Sequence, residues 1–177
     1  MSTTWIALLR GINVGRNKRI AMSDLRDMMQ SLGYAEVRTH LQSGNAIFSS
    51  RLQKPAALEA AISAGIQSTF GMDVAVVIRT AAEIAAVVDA NPFVARGADT
   101  SELHVTFLAA APSVAKLATV EREACLPDEF EVGDRVIYLR LLNGVMGSRL
   151  PDWDRVLGLR TTTRNWNTTT RLRDLTL

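Results

Sequence analysis

The fold of this chain is decided by residues 5–33, which read WIALLRGINVGRNKRIAMSDLRDMMQSLG. Residues 5–9 are a short, uninterrupted apolar run, which is typical of a buried β-strand. Further on, apolar residues recur at the spacing of one helix face, at Leu25, Met28, Met29 and Leu32. Gly33 then stands where a helix C-terminus favours glycine. The stretch therefore predicts a strand, a polar loop and an amphipathic helix.

The order of predicted elements in residues 1–79 is β-α-β-β-α-β. Strand-like runs on either side of the turn sequence QSGN (residues 42–45) predict a hairpin. A second helix begins at Pro55 and ends at Gly71, and residues 74–78 form a β-branched strand. This order is the ferredoxin-like, split βαβ plan with an antiparallel sheet.

Residues 80–177 repeat the plan approximately. Thr80 and Glu83 have the spacing of a capping box and predict the start of a helix. The other predicted elements are a strand at 104–109, a helix at 112–124, a hairpin around Gly133-Asp134, a short helix after Pro151 and a C-terminal helix at 165–175. We therefore predict an α+β protein, a tandem pair of ferredoxin-like α/β-plait domains over residues 1–79 and residues 80–177.

The composition is that of a globular protein. With 177 residues, 47% hydrophobic and 21% charged, the chain is unlike disordered, collagen-like and coiled-coil proteins. Cys125 stands alone, so no intrachain disulfide can form, and we expect an inert, half-buried thiol. Residues 1–9 lack the basic region of a signal peptide, and polar residues interrupt the apolar stretch 103–120. We expect a soluble, cytoplasmic protein with no membrane partner.

Charge is unevenly distributed along the chain. Residues 1–79 carry nine basic and five acidic side chains. Residues 80–134 carry three basic and ten acidic side chains, and residues 135–177 carry eight basic and three acidic ones. If both basic ends share a face, they form a positive patch although the net charge is only +2. Seventeen of the twenty cations are arginine, which suits phosphate binding but is also favoured by a GC-rich genome.

The stretch RGINVGRNKR (residues 10–19) is the strongest candidate for a binding loop. It has four cations, two glycines and no acid, between a predicted strand and helix. Such a turn can direct backbone N–H groups and a helix N-terminus at an anion. Its spacing fits neither a P-loop nor a dinucleotide fingerprint. The predicted ligand residues are Arg10, Asn13, Arg16 and Lys18; the alternative is a long, solvated connection.

Two further basic segments are candidates. NGVMGSR (residues 143–149) contributes Ser148 and Arg149, with a hairpin exit and a helix cap as the alternative. RNWN (residues 164–167) contributes Arg164, Asn165, Trp166 and Asn167. Its arginine could hold a phosphate and its indole could stack on a base. The alternative is that Trp166 belongs to the core and Asn165 caps a helix.

Catalytic and metal-binding patterns are weak. His40 and His104 are far apart, and with one cysteine they form no zinc-ligand spacing, so both are expected to be structural. Ser43 is at a turn beside Gly44 and Asn45 but outside any Gly-x-Ser-x-Gly elbow. The acidic residues at 128–131, beginning with Asp128, are expected on a solvated face. We predict no metal and no cofactor.

Several of these segments resemble a bacterial family known as domain of unknown function 1697. The blocks ALLRGINVG (7–15) and QSGN (42–45) resemble its first signatures, and NPF (91–93), residues 141–150 and TTRNWNT (162–168) resemble its later ones. The resemblance covers essentially the whole chain and implies two ferredoxin-like domains, but no activity or site residue. Two departures are Arg16, where the family commonly has a second glycine, and Gly147, where it tends to have arginine.

Three functions remain open from the sequence. The first is binding of a phosphorylated partner, either a nucleotide-like small molecule or single-stranded RNA, through the three basic segments. The second is an enzyme acting on a small anionic substrate in an inter-domain cleft, with Ser43 or His40 near the chemistry and Asn13, Asn45 and Asn167 orienting the substrate. The third is a protein-interaction module that uses an exposed sheet edge.

Overall fold

A computed structural model describes residues 2–16, 18–51 and 54–177. In these ranges the chain forms two four-stranded antiparallel sheets, each built from one half of the sequence. The strands are β1 (Thr3–Leu9), β2 (Ala35–His40), β3 (Asn45–Ser50), β4 (Val76–Thr80), β5 (Leu103–Leu108), β6 (Glu129–Gly133), β7 (Val136–Arg140) and β8 (Thr161–Asn165). The protein is therefore an α+β protein, as the sequence predicts.

The helices connect and follow these strands. They are α1 (Met22–Ser31), α2 (Pro55–Phe70), α3 (Ala81–Asp89), α4 (Pro92–Ala95), α5 (Val114–Leu117), α6 (Arg122–Cys125), α7 (Trp153–Leu157) and α8 (Trp166–Asp174). The predicted capping box is present at the start of α3. The Thr80 N–H donates to Glu83 Oε2 at 2.7 Å, and the Glu83 N–H donates to Thr80 Oγ1 at 3.1 Å.

The chain divides into two compact units, which we call the first and second units. The first contains the residues up to Ile84 together with Leu175–Leu177, and the second is Ala85–Asp174. The division lies inside α3, a few residues after the boundary expected at 79/80. Helix α3 follows β4 without a linker, so no break in composition marks the division.

The first unit has the strand order β2-β3-β1-β4. Alternate residues of β1, including Trp5 and Ala7, share a buried core with the apolar faces of α1 and α2, represented by Met29 and Ile62. On the other face of the sheet, Ile6, Leu8, Ile47 and Val77 are also buried, at 2% exposure or less. A strand buried on both faces has no polar alternation, which explains the uninterrupted apolar run in the sequence.

The second unit has the strand order β6-β7-β5-β8, the same arrangement as in the first. Its core on one side of the sheet joins Leu108 and Leu139 to Trp153 and Leu157 of α7. Phe130 and Trp153 meet edge to face, with ring centroids 5.0 Å apart. Helix α7 thus covers this side of the sheet.

Two elements of the second unit differ from the sequence prediction. Strand β8 lies in a threonine-rich segment for which we predict no element. The helix predicted over residues 112–124 is two short helices, α5 and α6. Between them the Thr119 hydroxyl donates to the Lys116 carbonyl at 2.7 Å, a local bond that competes with helix continuation.

Candidate functional site

The connection between β1 and α1, residues 10–21, is the first loop, and it is anchored at both ends. Ile12 and Ile20 are 1% and 2% exposed and insert into the core of the first unit. The Arg10 N–H donates to the Ala75 carbonyl, and the Asn13 N–H to the Lys18 carbonyl, both at 2.9 Å. These contacts join the loop to the rest of the first unit.

The side chain of Asn13 closes the first loop from inside. Its Nδ2 donates to the Ile20 carbonyl at 2.8 Å and to the Gln42 carbonyl at 2.7 Å, and its Oδ1 accepts from the Ile20 N–H at 2.9 Å. Its φ of 56° lies in the left-handed region, which asparagine tolerates better than most residues. Asn13 therefore joins the loop to the β2–β3 hairpin, and its side-chain amide makes its hydrogen bonds within the protein.

Gly44 allows that hairpin to approach the loop. A Cβ on Gly44 would lie 2.7 Å from Ile12 Cδ1 and 2.8 Å from Leu9 Cβ, and the residue has a φ of 84°. Across the same contact the Leu9 N–H donates to the Gly44 carbonyl at 2.9 Å. Both the backbone conformation and the available space therefore require glycine here.

The backbone of the first loop changes the sign of φ at every residue from 11 to 16. Gly11, Asn13 and Gly15 have φ of 66°, 56° and 66°, and the residues between them have negative φ. Alternation between right- and left-handed residues is the backbone pattern of a nest, an arrangement of N–H groups that binds anions, and we call residues 11–16 the nest. Within the described residues no acceptor meets the N–H groups of residues 11, 12, 14, 15 and 16.

Four exposed cations surround this nest: Arg10, Arg16, Lys18 and Arg19. Lys18 Nζ donates to the Asp73 carbonyl at 2.7 Å, and Arg19 Nη2 donates to the Gly15 carbonyl at 3.3 Å. The guanidinium of Arg16 makes no hydrogen bond or ion pair with the described part of the chain. Lys18 and Arg19 thus brace the loop, while Arg16 extends from it.

The hairpin residues beside the loop have structural roles. Asn45 is fully buried, and its Nδ2 donates to the His40 carbonyl at 2.8 Å and to Ser43 Oγ at 3.2 Å. Ser43 is exposed at the turn, and its hydroxyl oxygen accepts from an amide. In the first unit the Asn13–Gln42 bond thus joins the first loop, which carries Arg10, Asn13, Arg16 and Lys18, to the hairpin that carries Ser43 and Asn45.

The connection after β7, residues 141–150, is the second loop, and it closes around a carboxylate. Asp128 is 1% exposed; its Oδ1 accepts from the Leu142 N–H at 3.1 Å and its Oδ2 from the Arg149 N–H at 2.8 Å. The expectation that Asp128 lies on a solvated face is therefore wrong. Arg149 Nη1 donates to the Leu126 carbonyl at 2.9 Å, and Ser148 Oγ accepts from the Leu150 N–H at 3.1 Å.

The third basic segment lies at the junction of β8 and α8. Arg164 is 7% exposed, and its Nη1 donates to Thr162 Oγ1 at 2.8 Å; burial lowers its pKa to about 10. Asn165 caps α8 by accepting from the Thr168 N–H at 2.8 Å. Trp166 is 7% exposed, whereas Asn167 is exposed. The side chain of Trp166 is therefore packed inside the protein.

Sequence reasoning missed the features that shape the first loop. The alternation of φ and the role of Gly44 depend on the approach of the hairpin, which is distant in sequence. Ile12 and Ile20, apolar residues near the two ends of a polar connection, are a signal that could have indicated a closed loop. Arg19 belongs to the quoted stretch but was not among the predicted ligand residues.

Across residues 2–16, 18–51 and 54–177 no three His, Cys, Asp or Glu side chains come together as metal ligands. In the same ranges no helix combines the length and apolarity needed to cross a membrane.

Comparison with known proteins places the chain in a family. No curated protein matches it. A solved structure of a conserved bacterial protein from Streptococcus pneumoniae is similar over 100% of both chains, with a TM-score of 0.78 and 20% identity, a likeness that concerns the fold alone. The family model described as protein of unknown function (DUF1697) matches residues 2–138, more than half of the sequence. The chain therefore belongs to the DUF1697 family of proteins of unknown function.

Proposed function

We propose that the first unit binds a small phosphorylated molecule through the nest at residues 11–16. The observation that carries this proposal is the alternation of φ in the first loop, with five backbone N–H groups that have no acceptor among the described residues. A phosphate group offers several acceptor oxygens and negative charge, so it matches convergent N–H donors. Arg16 supplies the positive charge that closes over the bound group.

A small molecule is favoured over single-stranded RNA by the lack of a stacking surface at this loop. Sequence-tolerant binding of single strands depends on aromatic side chains that stack on bases. Residues 10–16 contain no aromatic residue, and Trp166, the aromatic residue that the sequence suggested, is buried. The proposed ligand is therefore recognised by its phosphate rather than by a base.

We further propose that both units are ferredoxin-like α/β plaits. The element order β-α-β-β-α-β of residues 3–80 and the identical strand orders of the two sheets support this. The proposed compartment is the cytoplasm, where phosphorylated small molecules are abundant and where a lone buried thiol such as Cys125 stays reduced.

Thermal-shift and calorimetric titrations with inorganic phosphate, pyrophosphate, ribose 5-phosphate and a short RNA test the binding proposal. A ligand at a hundredfold excess over its Kd stabilises the native state by about 2.7 kcal/mol, which is easily measured. We expect binding of at least one small phosphate that persists at physiological salt. Binding of RNA alone, lost at moderate salt, would replace the proposal with a surface that tracks the nucleic-acid backbone.

Matched variants locate the site. In Gly15→Val a β-branched residue at φ 66° forces the nest out of its conformation; Gly97→Val imposes the same strain at φ 75° on an exposed glycine of the second unit. We expect phosphate binding to be lost in the first variant and retained in the second. Arg16→Gln should weaken binding roughly tenfold, as for a lost charge-assisted hydrogen bond, and Arg160→Gln should not. Equal binding by both glycine variants would contradict the proposal.

A further inference from the structure

A β-bulge in the edge strand of the first sheet redirects a carboxylate. Ala35 pairs with Ser49 and Arg38 with Ile47, so β2 advances three residues where β3 advances two. The extra residue is accommodated at Glu36, whose φ is 53°. Non-glycine residues in this conformation are uncommon, and bulges of this kind re-aim side chains next to functional sites.

The bulge borders a cavity of about 520 Å³ that shares no lining residue with the first loop. Its polar lining consists of Thr4, Gln30, Glu36, Arg38 and Ser49. A neighbouring cavity of about 900 Å³ also includes Glu36 and Ser49 in its lining. The two cavities therefore meet at this pair, and each has the size of a small-molecule site.

The pair presents hydrogen-bond acceptors to the cavity. Ser49 is 9% exposed, and its hydroxyl donates to Glu36 Oε2 at 2.6 Å. That bond uses the only proton of the hydroxyl, so Ser49 Oγ and Glu36 Oε1 are left with lone pairs. Within the described residues Glu36 Oε1 accepts no hydrogen bond. A group with several N–H donors and a positive charge, an ammonium group, matches these acceptors.

Arg38 indicates that the ligand also carries a negatively charged group. Among the described residues that line the first cavity, Arg38 is the only cation and Glu36 the only anion. Arg38 Nη2 donates to the Leu175 carbonyl at 3.2 Å, which leaves most of its five N–H donors for another acceptor. We infer that this cavity binds a small zwitterion, with its ammonium group on Glu36 and Ser49 and its carboxylate on Arg38.

The test is a titration of the full chain with ω-amino acids from glycine to 6-aminohexanoate. Three controls match 4-aminobutyrate in length: butyrate lacks the amine, butylamine lacks the carboxylate, and putrescine has two amines. We expect at least one ω-amino acid to bind, at least tenfold more tightly than its mono-functional and dicationic counterparts. In NMR spectra of the unsubstituted protein, the amide resonances of Glu36, Arg38 and Ser49 should shift with it.

Two charge-neutralising variants then assign the ends of the ligand. Glu36→Gln keeps an acceptor for Ser49, and we expect it to weaken zwitterion binding at least tenfold while butyrate binding stays unchanged. Arg38→Gln should weaken binding of the zwitterion but not of butylamine, and Glu121→Gln at an exposed carboxylate should change neither. No binding across the series, tighter binding of putrescine, or equal binding by Glu36→Gln would overturn the inference.

Discussion

The two glycine-containing basic loops look alike in sequence but close around different groups. The first loop closes around a neutral amide, Asn13, which uses its own donors and acceptor at the loop ends. The second loop closes around the buried carboxylate of Asp128, which accepts from two of its N–H groups. The carboxylate that binds the N–H groups of the second loop is thus part of the protein, whereas five N–H groups of the first loop remain available for an external anion.

Composition alone does not distinguish the two loops. Asp128 is 14 residues from Leu142 and 21 from Arg149, so the group that satisfies the second loop comes from a distant segment. Glycines and cations indicate that a loop can receive an anion. They carry no information on whether the protein supplies one.

Removal of that internal carboxylate should have the largest effect. Asp128→Ala breaks two charge-assisted hydrogen bonds at a site 1% exposed, and we expect the free energy of unfolding in urea to fall by about 3 kcal/mol. Asp27→Ala, at an exposed position of α1, should cause no measurable change.

The same variant also tests whether the second loop needs an anion. If the second loop is built around an anion, added acetate should restore part of the stability of Asp128→Ala and leave the unsubstituted protein unaffected. A variant as stable as the unsubstituted protein would show that the carboxylate does not hold the loop.

The next largest effect concerns the contact between the first loop and its hairpin. Gly44→Ala adds a Cβ within 2.8 Å of Ile12 and Leu9 at a φ of 84°, and we expect a loss of about 3 kcal/mol from strain and overpacking together. Gly15→Ala has similar strain at φ 66° in open space, so it should lose only about 1 kcal/mol. Equal losses in urea unfolding would mean that steric contact contributes nothing.

The three hydrogen bonds of the Asn13 side chain form what we call the Asn13 clamp. Its loss should lower stability less than Gly44→Ala does but should weaken phosphate binding strongly. Asn13→Ala removes three hydrogen bonds and should reduce the free energy of unfolding by about 2 kcal/mol. Because the clamp holds the nest, phosphate affinity should fall at least tenfold. Asn13→Gly retains access to the left-handed region and separates the lost bonds from the backbone preference. Unchanged phosphate affinity in both variants would contradict a role of the clamp in binding.

The sequence predicts the elements whose signals are local. The run at residues 5–9 predicts β1, and the Thr80–Glu83 pair marks the start of α3, because apolar periodicity and capping depend on neighbouring residues. Strand β8 was missed because Thr161–Asn165 lacks an apolar pattern, although two of its threonines are buried. Threonine suits a strand, but the burial of Thr161 and Thr162 depends on their pairing with Leu108 and Phe107 across the sheet.

The site was predicted less completely than the fold. Residues 10–19 were identified correctly as a basic loop, but the side chain of Asn13 proved to be a clamp and those of Asn45 and Trp166 are buried. The same residue type can bind a ligand at the surface or have a structural role in the interior, and only its tertiary contacts distinguish the two. The bulge at Glu36 gave no sequence signal because any polar residue is compatible with an edge strand.

The smallest expected effect is a pH dependence confined to the second unit. Burial lowers the pKa of His104 from its ordinary 6.5, and its Nδ1 has no hydrogen-bond partner within the described residues. The unfolded chain therefore takes up the proton at a higher pH than the folded one. Stability should thus fall as the pH drops below about 6.5. His104→Gln should flatten this part of the profile in urea unfolding, and phosphate binding by the first loop should stay the same. An unchanged slope would show that His104 keeps its ordinary pKa after folding.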